Sequence, residues 1–184
     1  MRSVQAIQSF AALCGAIIIT FLQPQRDEIG PYLIATWALL VVSSIWAVSH
    51  VVTALIQKKK RAYISNGIIL LFFAAYIFMC AEHLIDHSNG LTSGNFSGLI
   101  IINGWLIPGG LAVLAVAIAH QKFPKIYKEN MITAGIFLIP AIAIIAFPAL
   151  GTVNQVGLLD ASLIFTAVHL GIAAASPAAP KTKA

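Results

Sequence analysis

Charge is scarce in this chain: six acidic and eleven basic residues among 184, or 9% of the sequence, against 59% apolar residues. So little charge excludes an ordinary soluble domain and places the chain in the membrane class. Cysteine is equally sparse. Cys14 and Cys80 both lie inside apolar runs, so a structural bridge requires their helices to touch, and two buried thiols are the expectation. No polar stretch is long enough to fold as a separate soluble domain. No small-residue cleavage site follows the first apolar run before Gln23-Pro24-Gln25, so that run reads as a retained helix rather than a secretory signal. Internal repeats are absent too: residues 1–85 and 96–175 form two halves in which no residue pattern recurs.

What is present is a series of six apolar segments, at residues 5–22, 31–56, 62–85, 96–119, 131–150 and 154–175. Runs of about 20 apolar residues match a hydrocarbon core of ~30 Å. Continuous runs select helices over a barrel, whose strands would alternate. The expected fold is an all-α membrane protein, a compact bundle of six transmembrane helices over residues 1–175, followed by a short basic tail, 176–184. Arg2, the run Lys58 to Arg61, the trio Lys122, Lys125 and Lys128, and Lys181 with Lys183 all fall at alternate joints. Ten of the eleven basic residues thus share one side, and the positive-inside rule makes that side cytoplasmic, with both termini inside. Arg26, Asp27 and Glu28 then occupy an outside loop, and the Asn95-Phe96-Ser97 sequon lies too near the membrane to be glycosylated. The net charge of +5 is read as a topology signal and gives no support to nucleic-acid binding. A bacterial or archaeal cytoplasmic membrane, or an organelle inner membrane, is the expected location, with the lipid bilayer and other integral subunits as partners.

Two constellations and one irregular segment carry the candidate chemistry. In CAEHLIDHSNG, residues 80–90, Glu82 and Asp86 share one helix stripe and His83 and His87 share another, because residues four apart are neighbours. Asp160 on the sixth segment falls at nearly the same depth and flanks no basic residue. A carboxylate so placed must find a partner, bind a cation or stay protonated. His83 and His87 completed by Glu82 or Asp160 form a candidate copper, iron or zinc site. Asp160, Glu82 and Asp86 form a candidate proton relay, and pairing of Glu82 or His83 with Asp160 is the plain structural alternative. Near the other face, His50 and His169 each lie six residues from the end of their segments, about 9 Å deep. Matched depth on two helices suits axial ligation of a b-type haem, and His120 marks the same end. Finally, Pro108-Gly109-Gly110 and Pro140 predict kinks in the fourth and fifth helices, the kind of interruption that transporters use at mid-membrane.

The function expected from these features is a small integral subunit of a larger, redox-linked membrane complex, contributing little chemistry alone. A proton- or cation-coupled solute transporter or channel, and a membrane-embedded metalloenzyme with an open metal position, are the alternatives.

Overall fold

The computed structural model describes residues 2–22, 30–58, 60–90, 94–147 and 149–176. Arg26, Asp27, Glu28, Lys59 and the tail beyond Ser176, with Lys181 and Lys183, lie outside the described residues. Six helices account for almost all the rest: α1 (Arg2–Leu22), α2 (Gly30–Gln57), α3 (Lys60–Ser88), α4 (Gly94–Ala119), α5 (Pro124–Ala146) and α6 (Thr152–Ala175). All six are long and apolar enough to cross a membrane. Each helix packs on its neighbours in sequence, α6 returns to α1, and α2, α4 and α6 also meet one another at the centre. Both thiols are free, and α1 and α3, which carry them, are not packed together.

Two boundaries differ from the hydropathy reading. α5 begins at Pro124, about two turns before its apolar stretch, because proline is favoured in the first helical turn, where its missing N–H costs nothing. α3 continues through Asp86 and His87 to Ser88, and ends where Gly90 adopts φ 69°, a left-handed conformation that glycine takes without steric penalty.

Neither proline-containing helix is interrupted. α4 runs through Pro108 and α5 through Pro140 as single helices, so discontinuous segments, the feature that most favoured transport in the sequence, are not present here. Proline at 140 deprives the carbonyl of Ile136, four residues earlier, of its helical donor. The hydroxyl of Ser162 on α6, itself buried, donates to that carbonyl at 3.2 Å. The neighbouring helix thus repairs the ladder where no water can. The glycines of α4 serve close approach. A Cβ on Gly109 would stand 3.0 Å from the ring of Phe72 and 3.2 Å from that of Phe137, and one on Gly110 would meet Leu138 at 2.7 Å. α4 therefore sits deeper between α3 and α5 than any larger residue allows.

The core is aromatic at mid-bundle. Trp105, with no exposed surface, lies 5.4–6.1 Å, centroid to centroid, from Tyr76, Phe137, Phe73, Trp46 and Phe72. Four helices meet through these rings, mostly in tilted pairs, an arrangement the ring quadrupoles favour over a face-to-face sandwich. Tyr76 donates its hydroxyl to the carbonyl of Ile101 at 2.9 Å, and Trp46 donates Nε1–H to the carbonyl of Gln8 at 3.0 Å. On the outer side of the ring, α1 and α6 are joined by Ser9, whose hydroxyl donates to the Ala167 carbonyl at 2.6 Å.

Replacing Ser162 with Ala leaves the Ile136 carbonyl without a donor and should cost about 1 kcal/mol of stability, the scale of hydrogen bonds between membrane helices. In a Pro140→Ala background the restored N–H supplies that donor, so Ser162→Ala should cost less than half as much. Thermal unfolding of the four proteins in one detergent measures this. Equal costs in both backgrounds would mean that the hydroxyl does not repair the proline gap.

Candidate functional site: a histidine-lined cavity at the basic end

The starts of α1, α3 and α5 and the ends of α2, α4 and α6 lie at one end of the bundle. The described lysines Lys58, Lys60, Lys122, Lys125 and Lys128 flank these helix ends and make this the basic end of the bundle. A cavity of about 550 Å³ opens there, and all six helices contribute to its wall. α1 supplies Gln5 and Gln8, α2 supplies His50 and Thr53, and α3 supplies Asn66. α4 leads into His120, α5 adds Glu129, Asn130 and Thr133, and α6 adds His169 with the apolar Leu170 and Ala173. A narrower extension of about 100 Å³ continues inward, sharing Gln8, His50, Asn130 and Thr133, and is lined by Trp46, Phe72, Phe73 and Phe137. The cavity therefore sets polar groups at its mouth among apolar side chains such as Val4, Ile69 and Phe123, and is aromatic at its depth.

The local sequence explains why these groups stay in an apolar bundle. Gln8 is 7% exposed, and its Nε2 donates to Ser49 Oγ at 2.7 Å and lies 3.2 Å from His50 Nε2. An amide nitrogen only donates, so His50 Nε2 is the acceptor and its proton sits on Nδ1, which donates to Asn66 Oδ1 at 2.8 Å. Ser49 in turn donates to the Trp46 carbonyl at 2.7 Å. The result is a directed chain of bonds crossing α1, α2 and α3, and the His50 ring packs against Phe73 at 6.0 Å. A buried network of this kind is stable because each donor has its acceptor.

The chain matches no protein-family model, no curated protein and no solved structure.

His50 and His169 line the same cavity, as their matched depth predicts, and His120 joins them. Both ring nitrogens of His50 are engaged. An axial haem pair with His169 would require release of the Gln8 bond. The other constellation is not assembled as expected. Asp160 on α6 accepts the Thr20 hydroxyl at 2.7 Å through Oδ2, while its Oδ1 is buried without a partner among the described residues. Thr20 stands in the last described turn of α1, so Asp160 is level with the rim of that helix although it lies eight residues into α6. Glu82, His83, Asp86 and His87 are carried by α3, and α3 and α6 are not packed together. The pairing of Asp160 with Glu82 or His83 is therefore corrected: the ring places α1 next to α6, and Thr20 takes the role of partner. Among the described residues, no three side chains from His, Cys, Asp and Glu come together as a metal ion would require.

Gln8, Asn66, Glu129, Asn130 and Thr133 were not singled out in the sequence. A signal existed. Amides and hydroxyls at similar distances from the same end of four helices mark a polar layer, but hydropathy started the fifth segment at residue 131 and left Glu129 and Asn130 in a joint.

The directed chain predicts coupling across His50. In a double-mutant cycle, Gln8→Leu and Asn66→Leu should each destabilise the protein, by about 1 kcal/mol, and the double variant should fall short of their sum by about 0.5 kcal/mol or more. Strict additivity in thermal or denaturant unfolding would show that His50 does not link the two amides.

Proposed function

We propose that this protein is an integral membrane protein with both termini on the cytoplasmic side, and that it binds a small solute entering its cavity from that side for passage across the membrane. The observation that carries this reading is the cavity itself: a polar mouth at one end, walls from all six helices, and a floor of packed aromatic rings that closes it at mid-bundle. This is the form of a carrier open to one side, with the substrate site near the midplane. The aromatic layer supplies the barrier to the far side, and the unbroken α4 and α5 imply that opening proceeds by tilting whole helices rather than by local unwinding. Glycines at 109 and 110 leave α4 without bulky side chains where it would move against Phe72 and Leu138.

A second reading keeps the chain as a subunit of a redox-linked membrane complex. The lining of one cavity by three imidazoles, from His50, His120 and His169, favours it. A visible haem band and fixed partner chains in material purified from the native membrane would select that reading over transport.

The carrier reading is tested with single cysteines. Leu170→Cys, inside the cavity, should react with a membrane-impermeant maleimide in inside-out vesicles above the wild-type background, and should not react in right-side-out vesicles. Phe165→Cys, on the same helix but facing out of the bundle at 62% exposure, should remain unreactive because lipid covers it. Silence of Leu170→Cys from both faces would remove the open cavity, and equal reaction at both positions would remove the membrane embedding.

A further inference from the structure

Six side chains on the cavity wall, Gln8, Thr53, His120, Glu129, Asn130 and Thr133, have their hydrogen-bonding capacity divided in a consistent way. All their donors but one N–H of Asn130 are already used. Thr53 donates to the Ser49 carbonyl at 2.8 Å and Thr133 to the Glu129 carbonyl at 3.0 Å. His120 Nδ1 stands 2.9 Å from the carbonyl of Val116. A carbonyl can only accept, so Nδ1 carries a proton, and in the neutral form of the ring Nε2 is then an acceptor. Asn130 donates from Nδ2 to the Ile126 carbonyl at 2.8 Å, and both N–H groups of Gln8 are spent on Ser49 and His50.

Acceptors are what remain: the amide oxygens of Gln8 and Asn130, the hydroxyl oxygens of Thr53 and Thr133, Nε2 of His120, and the carboxylate of Glu129. Donors are on the wall as well, in the Gln5 and Asn66 amides, the Ser65 hydroxyl, one N–H of Asn130 and, in either tautomer, a single N–H of His169, but none of them carries a charge. Glu129 is the one carboxylate lining the cavity among the described residues, and its partner is a loose one. Lys125 stands 4.0 Å away and is 73% exposed, an arrangement that contributes little and yields readily to a better-placed cation. Below this layer lie the rings of Trp46, Phe72, Phe73 and Phe137, whose faces attract a cation and accommodate an apolar body.

Resting on the reading of the cavity as a solute site, we infer that its ligand is a protonated organic amine, a primary or secondary ammonium group on a small apolar or aromatic body. The ammonium N–H groups meet the acceptor layer, its charge meets Glu129, and its body enters the aromatic extension. An anion of the same shape would stand beside the one carboxylate among the described lining residues, and would leave it unopposed. The lysines around the mouth do not reverse this preference. They stand in solvent, where their field is screened within about 8–10 Å, and Lys125 competes with the ligand for Glu129.

The test uses the full chain with the Leu170→Cys reporter in inside-out vesicles, and three probes that share a 2-phenylethyl body: 2-phenylethylamine, 3-phenylpropionate and 2-phenylethanol. The amine should slow maleimide labelling at concentrations at least tenfold below those at which the acid or the alcohol does so. Glu129→Gln should weaken that protection fivefold or more, whereas Lys125→Met should strengthen it two- to threefold by releasing the carboxylate. Protection by the acid equal to or better than that by the amine would overturn the inference, as would a Glu129→Gln variant that labels and is protected like the parent. So would labelling that none of the probes slows. In each of those outcomes the reporter still labels from one face, so the cavity survives and only the ligand class is lost. Failure of the reporter to label at all would instead remove the cavity, and the inference with it.

Discussion

The constraint on which this structure depends is the cost of leaving a hydrogen-bond donor without an acceptor inside an apolar bundle, a cost met at most helix contacts, while Ser43, Trp105 and Thr166 each keep a buried donor without a partner among the described residues. Water is not at hand in the interior of such a bundle, and an unmatched polar group costs several kcal/mol in hydrocarbon. The response is visible at several of the helix contacts. Ser162 fills the gap left by Pro140, Tyr76 reaches the backbone of α4, Ser9 reaches that of α6, and Gln8 binds Ser49 and His50. These bonds do more than stabilise. Each joins two particular positions on two helices, and together they set the register in which the apolar surfaces pack.

The same economy shapes the cavity. Threonine, asparagine and histidine side chains on its wall turn their N–H and O–H groups to backbone carbonyls one turn back, as hydroxyl and amide groups on helices commonly do. Their acceptor atoms, with one N–H of Asn130, are left toward the space between the helices. A bias in ligand chemistry thus arises from local helix geometry. The size of the space has a separate origin in the aromatic layer. Trp46, Phe73, Trp105 and Phe137 fill the centre of the bundle at close centroid distances, and Gly109 admits Phe72 and Phe137 to positions a larger residue would block. Toward the basic end, polar side chains stand among apolar ones around the cavity, so the helices enclose a space instead of a core.

The two ends of the bundle differ in what their polar residues do. At the basic end, residues from six helices converge on one volume. At the opposite end, Glu82, His83, Asp86 and His87 belong to a single helix, and Asp160 belongs to another that does not pack against it. Convergence, rather than the number of titratable groups in a short stretch, distinguishes a site from a polar helix end. The i, i+4 spacing of His83 and His87 is a property of one helix, and says nothing of what stands opposite.

Much of the architecture was legible in the sequence because lipid-scale hydrophobicity is a property of consecutive residues. Six apolar runs of sufficient length correspond to six helices, and the lysines at alternate joints mark the end at which the cavity opens. The matched depth of His50 and His169 was legible for the same reason, since distance along a helix is fixed by residue count. Tertiary structure alone decided which helices are neighbours. That choice gave Asp160 to Thr20 instead of to His83, gave the Pro140 gap to Ser162, and brought Glu129 and Asn130 from an apparent joint into the wall of a site. Such pairings depend on azimuth around each helix and on the order of helices around the ring, and neither is encoded in the hydropathy of any one segment.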